Sequence, residues 1–183
     1  VEEGVLQLDD DIRTYVPEFP EKHGVVTLRQ LASHTAGIRG YRGKEFALNR
    51  PLGIAESLEL FVEDPLLFPP GEGYHYNSFD FVLLSLAMQR AAGQPFHQLV
   101  ADRVLKPLSM TSTQMETPGQ PVPGQASFYS RFGREFRKAV PVDMRYKLAG
   151  GGYLSTVSDV CRLGTACLGG EIASPDILKP FLT

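Results

Sequence analysis

Long hydrophobic runs are absent from this 183-residue sequence, and stretches such as residues 81–88 are far too short to span a bilayer. Blocks of Lys and Arg are absent too, and the formal net charge is -3. Neutralising the phosphates of a nucleic acid requires clustered cations, so no nucleic-acid partner and no transmembrane segment are expected. The 43% hydrophobic and 21% charged content is typical of one soluble globular domain.

Several motifs of known chemistry are also missing. There is no G-x-S-x-G elbow, no Walker loop and no complete G-x-G-x-x-G, which disfavours an α/β-hydrolase and a phosphate cradle. The four histidines, His23, His34, His75 and His97, show no metal-ligand spacing with each other or with cysteine. Neither a metal site nor a cofactor is therefore predicted.

Cysteine is scarce, with Cys161 and Cys167 as its two occurrences. Six positions on a helix place two residues roughly 240° apart around the axis, so these thiols are not expected to bridge each other there. We interpret them as small, buried apolar residues rather than a redox pair.

Apolar spacing, capping residues and breakers predict a mainly helical chain with a few strands. Thr27-Leu28-Arg29-Gln30 is a capping box, and Gly37 is interpreted as the left-handed stop of its helix. The predicted helices are 27–34, 54–62, one from residue 77 or 78 to 93, 95–104, 155–170 and a short one beginning at 174–176. Residues 125–131 and 135–140 read as a β-hairpin, and residues 148–154 as a glycine-rich extended segment.

One run combines a stiff turn with a tyrosine. Pro69-Pro70-Gly71 precedes Tyr74-His75-Tyr76-Asn77-Ser78, after which the apolar stripe of the longest predicted helix begins. Rigid backbone next to a helix N-terminus can hold a phenol where a proton-transfer group is needed. Taken alone, a tyrosine at this place also suits packing against the start of the helix.

This run resembles the Pro-Gly…Tyr-x-Asn motif of the class C β-lactamase and penicillin-binding-protein-like serine hydrolases, a family that includes D-Ala-D-Ala carboxypeptidases and esterases. Three further segments resemble that family in the same order: 2–18, 27–38 with His34-Thr35-Ala36-Gly37, and 149–159. The pair Tyr146-Lys147 and the hairpin at Phe128-Tyr129 bring the chain nearest to the mitochondrial serine β-lactamase-like subgroup.

The resemblance implies an α+β fold of the β-lactamase/transpeptidase type and a hydrolase that forms an acyl-enzyme with an amide or ester. The family mechanism uses a Ser-x-x-Lys pair, the tyrosine motif and a downstream Lys- or His-x-Gly strand. No lysine here has a serine three positions before it, and Lys22-His23-Gly24 lies upstream of the tyrosine motif. We therefore expect residues 1–183 to be the central portion of such a domain, inactive when isolated.

Carried over by motif, Tyr76 is the catalytic tyrosine, with Tyr74 as the competing candidate. Ser78 occupies the family's asparagine position, which disfavours β-lactam recognition and favours an ester or peptide substrate. Ile38, Arg39 and Tyr41 are predicted to line the substrate cleft; the alternative is a helix stop with exposed side chains. His34 is interpreted as a structural hydrogen-bonding residue.

A second hypothesis is a non-catalytic module that uses the same fold for binding or assembly, motivated by Ser78 in place of the motif asparagine. An apolar helical face left uncovered would also favour association, so a homo-oligomer is possible. The partners expected are otherwise a small-molecule or peptide amide or ester. The resemblance fits a periplasmic or secreted bacterial protein, although the sequence itself leaves the compartment open.

Overall fold

A computed structural model of the chain describes residues 1, 3–174, 176, 177 and 179. The fold is α+β, as predicted. The described residues form the α-helices α1 (Leu28–Ala32), α2 (Ser78–Ala92), α3 (Phe96–Val100), α4 (Leu148–Gly151) and α5 (Val157–Gly169). They also form the strands β1 (Gln114–Met115), β2 (Tyr129–Phe132), β3 (Glu135–Lys138) and β4 (Tyr153–Leu154). The last predicted helix includes residue 175, which lies outside the described residues.

Helix α2 is the centre of the molecule, with α1, α3 and α4 packed on it. Its apolar stripe is buried, and Gly93 ends it in the left-handed conformation at φ 66°. The fully buried side chains around it come from the whole first half of the chain and from the segment before α4: Ile12, Val16, Val26, Leu28, Leu31, Phe79, Leu83, Leu86 and Tyr146. This single core fixes the start of α2 relative to the loops that precede it.

Two small antiparallel sheets flank the helices. Strand β1 pairs with β4, with Gln114 opposite Leu154. Strands β2 and β3 form a hairpin in which Tyr129 lies opposite Lys138 and Phe132 opposite Glu135. The predicted hairpin is confirmed with shorter strands, and all eight of its strand residues are exposed.

Three predicted elements differ from the structure. Helix α1 ends at Ala32 because His34 turns the chain with φ 60°, so Gly37 is not its stop. Residues 56–60 form a 3₁₀-helix, and Ser57 Oγ donates to the Ile54 carbonyl at the place where a longer helix would begin. Residues 148–151 are helical rather than extended.

The cysteines also differ from their interpretation as buried residues. Cys161 is exposed, Cys167 is half-buried, and both are free. Cys161 lies on the outer side of α5, which packs little of its surface and buries Asp159 and Ala166. The capping of α5 is as predicted, with the Thr156 hydroxyl accepting from the Asp159 amide.

Candidate active site

Two loops are joined by backbone hydrogen bonds to present the tyrosine motif. The Gly71 amide donates to the Thr35 carbonyl at 2.8 Å, and the His75 amide donates to the His34 carbonyl at 2.9 Å. Gly73 lies against the Phe68 ring, where an added Cβ would come within 3.0 Å of the ring carbons. These contacts fix the turn at residues 68–73 against the 34–37 loop, and the tyrosines follow along that loop.

Tyr76 projects from this segment, two residues before α2, and is 68% exposed. Its ring lies 4.7 Å from the His34 ring in an edge-on arrangement. Tyr74 is 69% exposed, and its ring lies 6.2 Å from that of His34. Packing against the start of α2, the other role open to a tyrosine at this place, is contradicted by the exposure of both rings.

Asn77 ties the start of α2 to the neighbouring loop. Its Oδ1 accepts from the Asp80 amide at 2.8 Å, which is the N-cap of α2. Its Nδ2 donates to the Ile38 carbonyl at 3.0 Å, to the His75 carbonyl at 3.1 Å and to Asp80 Oδ2 at 2.7 Å. One buried amide therefore holds together the helix, the tyrosine segment and the loop at residue 38.

His34 and Asp80 form a second link. His34 Nδ1 lies 2.9 Å from Asp80 Oδ2, the oxygen that also accepts from Asn77. Burial raises the pKa of Asp80 to about 8, while the hydrogen bond from Asn77 opposes that rise. Burial also lowers the pKa of His34, with a further contribution from His75. Both shifts favour the neutral forms, so we describe the contact as a hydrogen bond rather than an ion pair. The interpretation of His34 as a structural hydrogen-bonding residue agrees with this geometry.

Tyr41 and Ser78 lie together beside the start of α2. The Tyr41 ring packs on Phe79 at 4.8 Å, and its buried hydroxyl lies beside Ser78 and Tyr146 without hydrogen-bond geometry to any described residue. Burial raises the pKa of Tyr41. Lys147 Nζ lies 4.7 Å from the Tyr41 ring centroid and donates to the Phe46 carbonyl. Burial lowers the pKa of this ammonium.

Arg39 and Ile38 are both buried, so the alternative of exposed side chains is wrong for this pair. The Arg39 guanidinium donates to Asp64 at 2.6 Å and to Glu45 at 2.7 Å, and it also reaches the Leu60 carbonyl. Ile38 is part of the hydrophobic core. The structure thus brings Tyr41, Tyr76 and Ser78 to the start of α2, while Arg39 and Ile38 support the loop from within.

Comparison with known proteins places this geometry in a family. A family model described as Beta-lactamase matches residues 1–183. The chain belongs to the beta-lactamase family. It is 28% identical over 260 residues to the mitochondrial serine beta-lactamase-like protein LACTB of Homo sapiens, covering 98% of this chain and 47% of that protein. It therefore spans about half the length of the curated relatives it matches first.

Solved structures show that the fold is of the β-lactamase/transpeptidase type. A D-stereospecific amidohydrolase from Streptomyces superposes with a TM-score of 0.83 at 22% identity, over 99% of this chain and 59% of that one. A penicillin binding protein from Bacillus halodurans gives 0.82 at 23% identity, over 100% and 57% of the two chains. At these identities the similarity establishes the fold alone.

Within this beta-lactamase-family chain, sequence reasoning missed the roles of Asp80 and Lys147. An acid in the first turn of a helix ordinarily favours the helix dipole, which gives no sign that Asp80 is buried against a histidine 46 positions away. Lys147 contributed to the resemblance only by its identity, and its partner Phe46 lies 101 positions away. Among the described residues, no helix is long and apolar enough to cross a membrane, and no three His, Cys, Asp or Glu side chains could hold a metal ion.

Proposed function

We propose that this chain is the central part of a serine hydrolase that forms an acyl-enzyme with an amide or ester, and that Tyr76 transfers protons in that reaction. One observation carries the proposal: an exposed phenol is held on a rigid turn directly before a 15-residue helix in a β-lactamase-type fold. A tyrosine placed in this way can act as a phenolate that takes the proton from a serine hydroxyl, and the phenol so formed can return that proton to the leaving group.

The nucleophile would come from outside residues 1–183, since no Ser-x-x-Lys occurs within them. Tyr41 and Ser78 would form the near wall of the substrate cleft, and Ile38 and Arg39 would hold that wall in place from behind. The Ser78 hydroxyl donates and accepts through one oxygen, whereas an asparagine amide presents its donor and its acceptor on two separate atoms. This favours an ester or peptide amide over a β-lactam.

The test uses the full-length gene product that contains this chain, assayed with a fluorogenic ester and with nitrocefin. Tyr76→Phe is expected to lower kcat by about 100-fold or more, in the range typical of a lost proton-transfer group. Tyr74→Phe is the matched control, because that ring is equally exposed two residues earlier. Wild-type turnover in Tyr76→Phe removes Tyr76 from the mechanism, and a loss confined to Tyr74→Phe transfers the role to Tyr74.

The second candidate function, a non-catalytic binding or assembly module, is favoured by Ser78 at the motif asparagine position. A fluorescent fluorophosphonate separates the two candidates. Labelling of the full-length product supports the hydrolase, and an unlabelled product without Ser-x-x-Lys supports the module. The isolated 183-residue chain is expected to take up no label in either case.

A further inference from the structure

Asp80 is a buried carboxyl that the proposed reaction does not use. Its residue is 0% exposed, and one of its oxygens, Oδ1, has no hydrogen-bond partner among the described residues. No Lys or Arg within those residues contacts it. Burying an unpaired acid destabilises a fold, so its presence indicates that a specific arrangement of neighbouring groups depends on it. The other oxygen, Oδ2, contacts Asn77 and His34, and both of these residues hold the tyrosine segment in place.

We propose that Asp80 is a positioning residue that acts through His34: it holds the imidazole edge-on to Tyr76 and thereby fixes the direction of the phenol. This inference rests on the proposed function of Tyr76, which it deepens by naming the groups that align it.

The His34 ring is fixed at both its backbone and its side chain. Its φ of 60° is rare for a residue other than glycine, and its carbonyl accepts from the His75 amide at 2.9 Å. Its Nδ1 lies 2.9 Å from Asp80, and the Phe81 ring lies 5.3 Å away on the same helix. These contacts leave the ring one orientation, with Nε2 making no hydrogen bond in the described part of the chain.

Tyr76 depends on that ring because little else restrains it. The phenol is largely exposed, and His34 is its one aromatic contact among the described residues. Edge-to-face contacts at centroid distances of about 4.5–7 Å are a recognised way of orienting a ring. The other titratable groups facing His34 are Tyr74 and His75. If the His34 imidazole lost its fixed orientation, the Tyr76 phenol would therefore be free to rotate in solvent.

Two substitutions of His34 separate its two contacts. In His34→Asn, the side-chain amide retains a group at the Nδ1 position for Asp80 and tolerates the positive φ, but the ring facing Tyr76 is lost. In His34→Phe, a ring is retained but its hydrogen bond to Asp80 is lost. Each variant of the full-length product is expected to lower kcat at least 10-fold with KM changed less than 3-fold, and Asp80→Asn is expected to do the same.

Asp159→Asn is the matched control. Asp159 is also the third residue of its helix and is 1% exposed, yet it bonds Ser112, Thr113 and Arg162 rather than any residue of the tyrosine motif. This variant is expected to keep wild-type kcat. A general loss of packing would lower kcat in both aspartate variants, whereas a positioning role lowers it only for Asp80.

A second readout does not depend on turnover. With selectively labelled tyrosine, the Tyr76 ring protons of the wild-type full-length product are expected to show a ring-current shift from His34. That shift should collapse in Asp80→Asn and His34→Asn and persist in Asp159→Asn. If Tyr76→Phe retains full activity, the proposed function fails while this measurement still decides the positioning. Unchanged kcat and unchanged Tyr76 signals in His34→Phe and Asp80→Asn would overturn the inference.

Discussion

Two aspartates at equivalent helix positions show how differently one residue type can behave. Asp80 and Asp159 each follow a cap by three positions, and each is buried. Burial also tends to raise the pKa of Asp159, but hydrogen bonds from Thr113, Ser112 and Arg162 outweigh it and lower that pKa. No Lys or Arg of the described part of the chain lies beside Asp80, so burial dominates and its pKa rises. The surroundings, rather than the position on the helix, decide the charge.

The Asp80 pKa predicts an unusual pH dependence of stability. The pKa is raised from 3.8 to about 8, so between those values the folded state holds a proton that the unfolded state has released. The Asp80 contribution to the free energy of unfolding therefore falls as pH rises, by roughly 1 kcal/mol per pH unit between pH 5 and 8. Urea denaturation at several pH values measures this slope, and Asp80→Asn should remove it.

Asp159 gives the opposite sign and serves as the control. Its lowered pKa contributes stability that is present above the unfolded value and is lost as pH falls through the folded one. Asp159→Asn should therefore alter the acid limb of the stability profile and leave the slope between pH 5 and 8 unchanged. A slope that survives in Asp80→Asn would show that another group binds the proton.

Single residues were predictable where their structural role is local. Asn77 was one of two predicted caps and it caps α2, while Tyr76 was assigned by its place in the family motif and its catalytic role stays a prediction. Arg39 was expected to be either cleft-lining or exposed, yet it is buried against Asp64 and Glu45, which lie 25 and 6 positions away. Partners at such sequence separations leave no periodic pattern in the sequence. The ion pairs of Arg39 were therefore not predicted, whereas the helix caps were.

Glycine at position 37 illustrates the same distinction at the scale of elements. It was predicted as the stop of α1, but its φ of 81° serves a contact between two loops instead. The Gly37 carbonyl accepts from the Leu67 amide at 2.7 Å, and an added Cβ would lie 2.3 Å from the Phe68 carbonyl oxygen. The position requires glycine both for its backbone conformation and for its close approach to residues 66–68.

Gly37→Ala is therefore expected to destabilise the chain by about 3 kcal/mol, combining left-handed strain with a backbone clash. Gly124→Ala is the matched control, because Gly124 has φ 79° with nothing within 4 Å of an added Cβ. Its cost should be about 1 kcal/mol, from strain alone. Thermal denaturation of both variants gives the comparison. Equal costs would show that the loop contact contributes nothing to stability.

Both ends of α2 and α5 and the start of α1 were predicted well from capping signals, whereas the end of α1 and the elements defined by packing were not. The caps Thr27, Asn77 and Thr156 and the stops Gly93 and Gly170 lie where the sequence indicates helix ends. Residues 148–151 have no such signal, yet they form α4, and a Cβ added at Gly152 would lie within 3 Å of the Leu148 side chain and the Met144 carbonyl. Gly152 thus permits close packing that a larger residue would prevent.

At the scale of the whole molecule, α5 presents an apolar stripe to solvent. Val157, Cys161, Gly164 and Leu168 follow helical spacing on one face with Val160 beside them, and Val157 and Leu168 are 82% and 89% exposed. The hairpin β2–β3 also exposes aromatics, but it interleaves them with arginines. A continuous apolar face of this kind favours association, whereas the hairpin's charges oppose it.

The α5 stripe therefore gives the predicted homo-oligomer a location that can be tested. Sedimentation of the 20.2 kDa chain at micromolar concentration is expected to show species larger than the monomer. Val160→Ser combined with Leu168→Ser should return the mass to that of the monomer, because it removes apolar area from the stripe without touching the core. Phe132→Ser with Phe136→Ser on the hairpin is the control and should leave association unchanged. If the hairpin variant dissociates the oligomer and the α5 variant does not, the contact lies on the β2–β3 hairpin, and the exposed face of α5 has no role in assembly.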